Sequence, residues 1–159
     1  MVDIKFLIGS FWHLLALGFG SGLSKKAPGT LGSLIAFPLY GLISPLSIEI
    51  QLGFVVTLFF LGIHASDITS RRLKLKDPSC IVIDEIVAMM LIFILIEPDA
   101  ASFVIAFILF RFFDIKKPFP INWIEKKFTG GLGIMLDDIA AAVPCLIIMQ
   151  LFYITSYAV

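Results

Sequence analysis

Four acidic residues stand where an apolar chain can least tolerate them. Asp84 and Glu85 interrupt the run Ile81–Val87, and Asp137 and Asp138 interrupt another that begins at Leu132. Asp114 closes a further apolar run, with Arg111 three residues before it and therefore on the same helix face. Ionisable groups inside apolar spans are costly and by default mark function. Carboxylates brought together oppose one another's ionisation unless a cation sits among them. Oxygen donors without a nearby Cys or His suit a hard ion such as Mg²⁺, which keeps some of its water and takes substrate phosphate as a further ligand. The chemistry within reach is phosphoryl transfer. Asp84, Glu85, Asp137 and Asp138 would hold Mg²⁺, Glu85 or Asp138 would take a proton from water, and Arg111 would fork onto phosphoryl oxygens.

Hydropathy gives the elements that must position these groups. The chain has 159 residues, is 59% hydrophobic and 15% charged, and has a mean hydropathy of +1.03. That excludes a disordered tail, a disulfide scaffold and a nucleic-acid binder, and the length fits a single domain over 1–159. Twelve basic residues cancel twelve acidic ones, so any electrostatic function must come from local clustering. Cys80 and Cys145 lie in apolar runs without metal or redox spacing.

The expected fold is an all-α, polytopic membrane bundle of about five spans, over Leu31–Ile43, Ile48–Ala65, Ile81–Ile96, Ala101–Phe113 and Leu132–Tyr153. Thr30 and Ser47 are candidate N-caps, and Pro38 should bend its helix without ending it. Phe6–Leu23, broken by Gly9, Gly18, Gly20 and Gly22, reads as an N-terminal interfacial or re-entrant helix, with a full span as the alternative. The interval 112–131, with Pro118 and Pro120 at its centre, reads as a loop with a short helix near Ile121–Phe128. Trp12, Tyr40, Trp123, Tyr153 and Tyr157 suit interfacial anchors.

Lysines and arginines orient the bundle, because they stay cytoplasmic near span ends. Lys25 and Lys26, the group Arg71–Lys76, and Lys116, Lys117, Lys126 and Lys127 all fall on one side. The other side holds Ser44–Ser47 and Glu97–Ala100, without Lys or Arg, and should also hold the C-terminus Thr155–Val159. All the acids named above then reach the cytoplasmic ends of their helices.

Arg111 together with Lys25 and Lys117 offers cations to a phosphate, and the segment Gly18–Ser33 offers glycine-rich backbone and hydroxyls, notably Thr30 and Ser33, ahead of and within a helix start. Each feature has a plainer account. Acids at a helix N-terminus are favoured by the dipole, lysines orient the chain and attract anionic lipid, and small residues let helices pack closely. Asp77 and Asp67 flank the Arg71–Lys76 run and could simply pair with it, while His13 and His64 could be interfacial polar groups. Neither Cys precedes the Arg of a cysteine-phosphatase loop, no Asp-x-Asp motif is present, and the last His is His64. Direct attack by water is therefore preferred over a covalent intermediate. A divalent-cation carrier or channel is the alternative function, but the nearly apolar outer halves Met89–Ile96 and Cys145–Phe152 favour a one-sided surface site.

In order along the chain, Trp12–Ala16 with Gly18–Ser24, Pro28-Gly29-Thr30 with Gly32-Ser33, Asp77 with Asp84-Glu85, Phe110-Arg111 with Asp114 and Lys117–Ile121, and Gly130–Met135 with Asp137-Asp138 together resemble the phosphatidylglycerophosphatase A family. One departure is Ala88, where that family often has Gly. The resemblance implies an integral-membrane, Mg²⁺-dependent phosphatase of the bacterial inner membrane, and the orientation set by the lysines would face its site to the cytoplasm. It would release the terminal phosphate of phosphatidylglycerophosphate to leave phosphatidylglycerol. It also implies that Asp84, Glu85, Asp137 and Asp138 carry the acidic motifs and Arg111 and Lys117 the basic one, with Asp77 and Asp114 beside them; His13 is a further candidate for a supporting place.

Overall fold

The computed structural model describes residues 2–96 and 98–157, with the side chains of Ser156 and Tyr157 left out. Expectations placed on Glu97, on Tyr157 as an anchor and on Ala158 and Val159 fall outside the described residues. Every regular element among them is helical. In chain order these are α1 (Ile4–Ile8), α2 (Phe11–Ala16), a 3₁₀ segment (Gly18–Leu23), α3 (Pro28–Ile43), α4 (Ile48–Leu73), α5 (Ile83–Leu95), α6 (Ala100–Lys116), α7 (Ile121–Lys127) and α8 (Gly130–Tyr157).

Helix α5 is the axis of the bundle. Between Glu85 and its end it carries no polar side chain, and a helix that is apolar all round must be covered all round. It touches α3, α4, α6 and α8, and Ile86–Met90 and Ile92–Ile94 are buried. Helix α8 also packs on α4, α6 and α7. The outer helices distribute their side chains against the rule for water-soluble bundles. On α6, Ala106, Phe110 and Asp114 face inward while Val104, Ile108, Phe112 and Ile115 are exposed. On α8, Ala141, Ala142, Cys145 and Met149 are buried, whereas Val143, Ile147 and Leu151 are exposed. Apolar surface on this scale asks for an apolar solvent. Two helices, Ile48–Leu73 and Gly130–Thr155, are long and apolar enough to cross a membrane, and Pro28–Ile43 is a shorter apolar helix.

The N-terminal region departs from the single helix expected over Phe6–Leu23. Asp3 caps α1 by accepting from the Phe6 N–H at 2.8 Å, and Ser10 starts α2 by accepting from the Trp12 N–H at 3.3 Å. Gly18 and Gly20 then take φ of 52° and 108°, a left-handed backbone open to glycine that turns the chain after α2. Helix α3 begins at Pro28, two residues before the proposed cap Thr30, because Ala27 at φ 47° turns the chain and Pro28 is already set for a first helical turn. Ser47 does occupy the N-cap of α4 but makes no side-chain capping bond, and α3 continues through Pro38.

Helices α4 and α8 approach through Gly131, where a Cβ would stand 1.9 Å from the Ile63 carbonyl oxygen. Gly131→Ala should therefore force the pair apart, costing about 2 kcal/mol and lowering the melting temperature in detergent by roughly 5 °C. Gly53→Ala, with nothing within 4 Å of its Cβ position, should melt with the wild type. Equal melting of both variants would show that the contact carries no weight.

Candidate active site

The N-terminus of α3, the connection 74–82, the first turn of α5, the last turns of α6 and the second turn of α8 converge on a cavity of about 230 Å³. Its walls are Ala27–Gly29, Asp77, Ser79, Ile81, Asp84, Glu85, Arg111, Asp114, Lys117, Asp137 and Asp138. One carboxylate oxygen from each of Asp84, Glu85 and Asp138 lies within 4.8 Å of the others. Adjacent positions in the opening turn of α5 thus meet one position on α8.

Six buried side-chain nitrogen or oxygen atoms among the described residues lack a hydrogen-bond partner, and only Ser66 Oγ lies away from this cavity. The others are Asp84 Oδ1, Glu85 Oε2, Asp137 Oδ1, Asp138 Oδ2 and Arg111 Nε. A buried polar atom left unmatched is expensive, and more so when it is charged. Several orphaned carboxylate oxygens at one place are the kind of donors a hard cation takes, and no Cys or His side chain lines the cavity. The residues present therefore fit Mg²⁺, with Asp84, Glu85 and Asp138 as the group that comes together.

Arg111 is the counter-charge on the α3 side. Its Nη1 is 2.6 Å from Asp114 Oδ2 and 3.6 Å from Glu85 Oε1, and it donates to Ser33 Oγ at 3.5 Å. Ser33 in turn donates to the Gly29 carbonyl at 3.0 Å. Gly29 leaves room for this approach, since a Cβ there would lie 2.0 Å from Glu85 Oε1 and the carboxylate would have to move aside.

Lys117 caps α6 with φ 42° and reaches the opposite wall. Its Nζ stands 2.5 Å from Asp137 Oδ2 and 2.9 Å from Glu125 Oε1. Burial alone would lower the Lys117 pKa, but the two carboxylates more than reverse this and hold it above the ordinary lysine value. Asp137 is thus tied to Lys117 and is not part of the Asp84, Glu85 and Asp138 group. Glu125, on α7, has no sequence signal. It is eight positions from Lys117, and Pro118 and Pro120 between them break any helical register.

Other candidates lie at varying distance from the cavity. Asp77 lines it, and together with Asp137 it also lines an adjoining cavity of about 300 Å³ that includes Lys76, Glu125 and Lys126. Lys25 is exposed, and neither it nor Thr30 nor Ser33 lines the wall; Ser33 holds Arg111 instead. His13 sits elsewhere, joining α2 to α4 through Nδ1 and Thr69 Oγ1 at 3.0 Å and stacking on Phe6 at 4.2 Å. Burial, and then the charge of Arg72, push its pKa below the usual histidine value.

Residues 14–153 match the family profile described as Phosphatidylglycerophosphatase A. Curated relatives agree over most of the chain. A Phosphatidylglycerophosphatase A of Escherichia coli (strain K12) is 39% identical over 133 residues, covering 83% of this chain and 77% of the relative. Another of the same name from Haemophilus influenzae is 43% identical over 140 residues, covering 86% and 85%. A Bacteroides thetaiotaomicron protein provisionally named as a phosphatidylinositol-3-phosphatase is 40% identical over 144 residues, covering 82% and 86%. No solved structure matches the chain.

Because Arg111 is the shared partner of Glu85 and Asp114, Arg111→Met should leave both buried without a counter-charge and cost about 3 kcal/mol. Arg111→Lys should recover only part of this, since a point charge on a flexible stem replaces a planar fork. Thermal unfolding in detergent checks both, and a Met variant as stable as the wild type would refute the pairing.

Proposed function

The chain belongs to the phosphatidylglycerophosphatase A family of enzymes, and from that premise we propose that it hydrolyses the terminal phosphomonoester of phosphatidylglycerophosphate to phosphatidylglycerol and inorganic phosphate. The observation that carries the reading at the level of chemistry is the set of unpartnered carboxylate oxygens beside Arg111. We further propose that the reaction depends on Mg²⁺ and that residues 1–159 act as one membrane-embedded domain.

In this proposal Asp84, Glu85 and Asp138 hold the ion, and Asp137 stands beside them with one oxygen on Lys117 and one unpartnered. Mg²⁺ bound there would polarise the phosphoryl group and lower the pKa of a water molecule. Glu85 or Asp138 accepts the proton of the attacking water. Arg111, whose buried Nε has no partner among the described residues, donates to the phosphoryl oxygens as charge develops on them. Asp114 and Ser33 fix the guanidinium, and Lys117 adds positive charge at the opposite wall. No covalent intermediate is required.

The membrane arrangement is part of the same proposal. Helices α3, α5 and α6 join the two long helices as spans, giving about five, with α1, α2 and the 3₁₀ segment at the interface. The site faces the cytoplasm at the bacterial inner membrane, where Lys25, Arg71–Lys76, Lys116 and Lys126 gather. A cation pathway is disfavoured by the wall behind the acids, since Ile86, Val87, Met89, Met90 and Ile92 are fully buried and offer no polar relay.

The test is phosphate release from phosphatidylglycerophosphate in mixed micelles. Release should stop with chelator, return with Mg²⁺, and fall by roughly a thousand-fold in Asp84→Asn with folding retained. Release that ignores chelator would remove the ion from the mechanism. No release by folded wild-type protein would overturn the substrate assignment.

A further inference from the structure

A lipid whose phosphate reaches the acid cluster must lay its acyl chains against some face of the bundle, and which face is a question that rests on the proposed function. Helix α3 packs against α5, and α6 packs against α8 and more lightly against α5. Between α3 and α6 the visible link is a row of side chains. At the cavity end Arg111 Nη1 meets Ser33 Oγ at 3.5 Å. Farther along, Phe37 lies 6.1 Å from Phe107 and 6.4 Å from Phe103, and Tyr40 lies 5.6 Å from Phe103. Behind them Phe93 of α5, fully buried, forms a floor at 4.6 Å from Phe37 and 4.7 Å from Phe103. The four rings of α3 and α6 are only half-buried.

This seam has the polarity of a phospholipid. One end is a guanidinium at the wall of a carboxylate-lined cavity, and the remainder is aromatic and open to the surroundings. Its length also matches. Arg111 and Phe103 are eight residues apart on α6, about 12 Å along the axis, most of the depth of one leaflet of a hydrocarbon core about 30 Å thick. Half-buried rings joining two helices through side chains alone can part around a chain by rotamer changes, whereas the contact between α4 and α8 is sealed at Gly131 by backbone. From this continuity with the phosphate site, we infer that the α3–α6 seam seats an acyl chain of the substrate and that the lipid enters the cavity sideways between these two helices.

Photolabelling tests this on the wild-type protein in phosphatidylcholine vesicles. The probe is a diacyl lipid with a mid-chain diazirine and a terminal phosphonate in place of the phosphate of phosphatidylglycerophosphate. Label should appear in the peptides of α3 and α6, around Phe37, Phe103 and Phe107, and should be lost on adding excess unlabelled phosphatidylglycerophosphate. Displaceable label on α4 and α8, or no displaceable label from a preparation that still releases phosphate, would overturn the seat and leave the proposed function intact. A preparation that releases no phosphate from phosphatidylglycerophosphate would overturn the proposed function, and the seat with it.

Discussion

The cost of placing several carboxylates side by side in an apolar bundle governs this molecule. Asp84, Glu85, Asp114, Asp137 and Asp138 line one small cavity, and four of the five are among the buried residues of the chain. Burial takes away the water that would otherwise compensate them, so the fold must do so. The opening turn of α5 places Asp84 and Glu85 at the positive end of a helix dipole. Arg111 spans Glu85 and Asp114, Gly29 lets α3 come close enough for Ser33 to brace that arginine, and Lys117 holds Asp137 from the far wall. The oxygens still unmatched after these devices are those that a cation would take up.

The same constraint explains why the helices surround α5 as they do. An apolar axis buried on every side gives a rigid support for two acids at its end, and small or flexible residues of its neighbours fit around it. Gly62 receives the Met135 side chain, and Gly32 lies against Val82 just ahead of the acids. The bond from Lys117 to both Asp137 and Glu125 couples α6, α7 and α8 at the rim, so the short helix α7 belongs to the site although it supplies none of the clustered oxygens.

Much of this was legible in sequence because it is local. The three-residue spacing of Arg111 and Asp114 places them on one face, and they pair at 2.6 Å. Proline and glycine punctuation located a short helix near Ile121–Phe128, found at Ile121–Lys127. Hydropathy placed Asp84 and Glu85 in an opening turn, as observed. What sequence did not disclose depends on backbone torsion or distant partners. The break-up of Phe6–Leu23 turns on the extended Ser10 between α1 and α2 and on positive φ at Gly18 and Gly20 after α2, and composition alone does not separate these from close helix packing. The pairing of Asp137 with Lys117, twenty positions away across a proline turn, is a contact of this kind. The bracing role of Ser33 needs the α3–α6 approach, which no periodicity encodes.

The central claim is that Asp84, Glu85 and Asp138 form a divalent-cation site. Electron paramagnetic resonance of Mn²⁺, a spectroscopic stand-in for Mg²⁺, titrated into purified protein measures it directly. The account predicts saturable binding that is competed by Mg²⁺ and lost in Asp138→Asn, while Asp99→Asn, a change at the N-cap of α6 far from the cavity, leaves it in place. Equal Mn²⁺ binding by wild type and Asp138→Asn would contradict it.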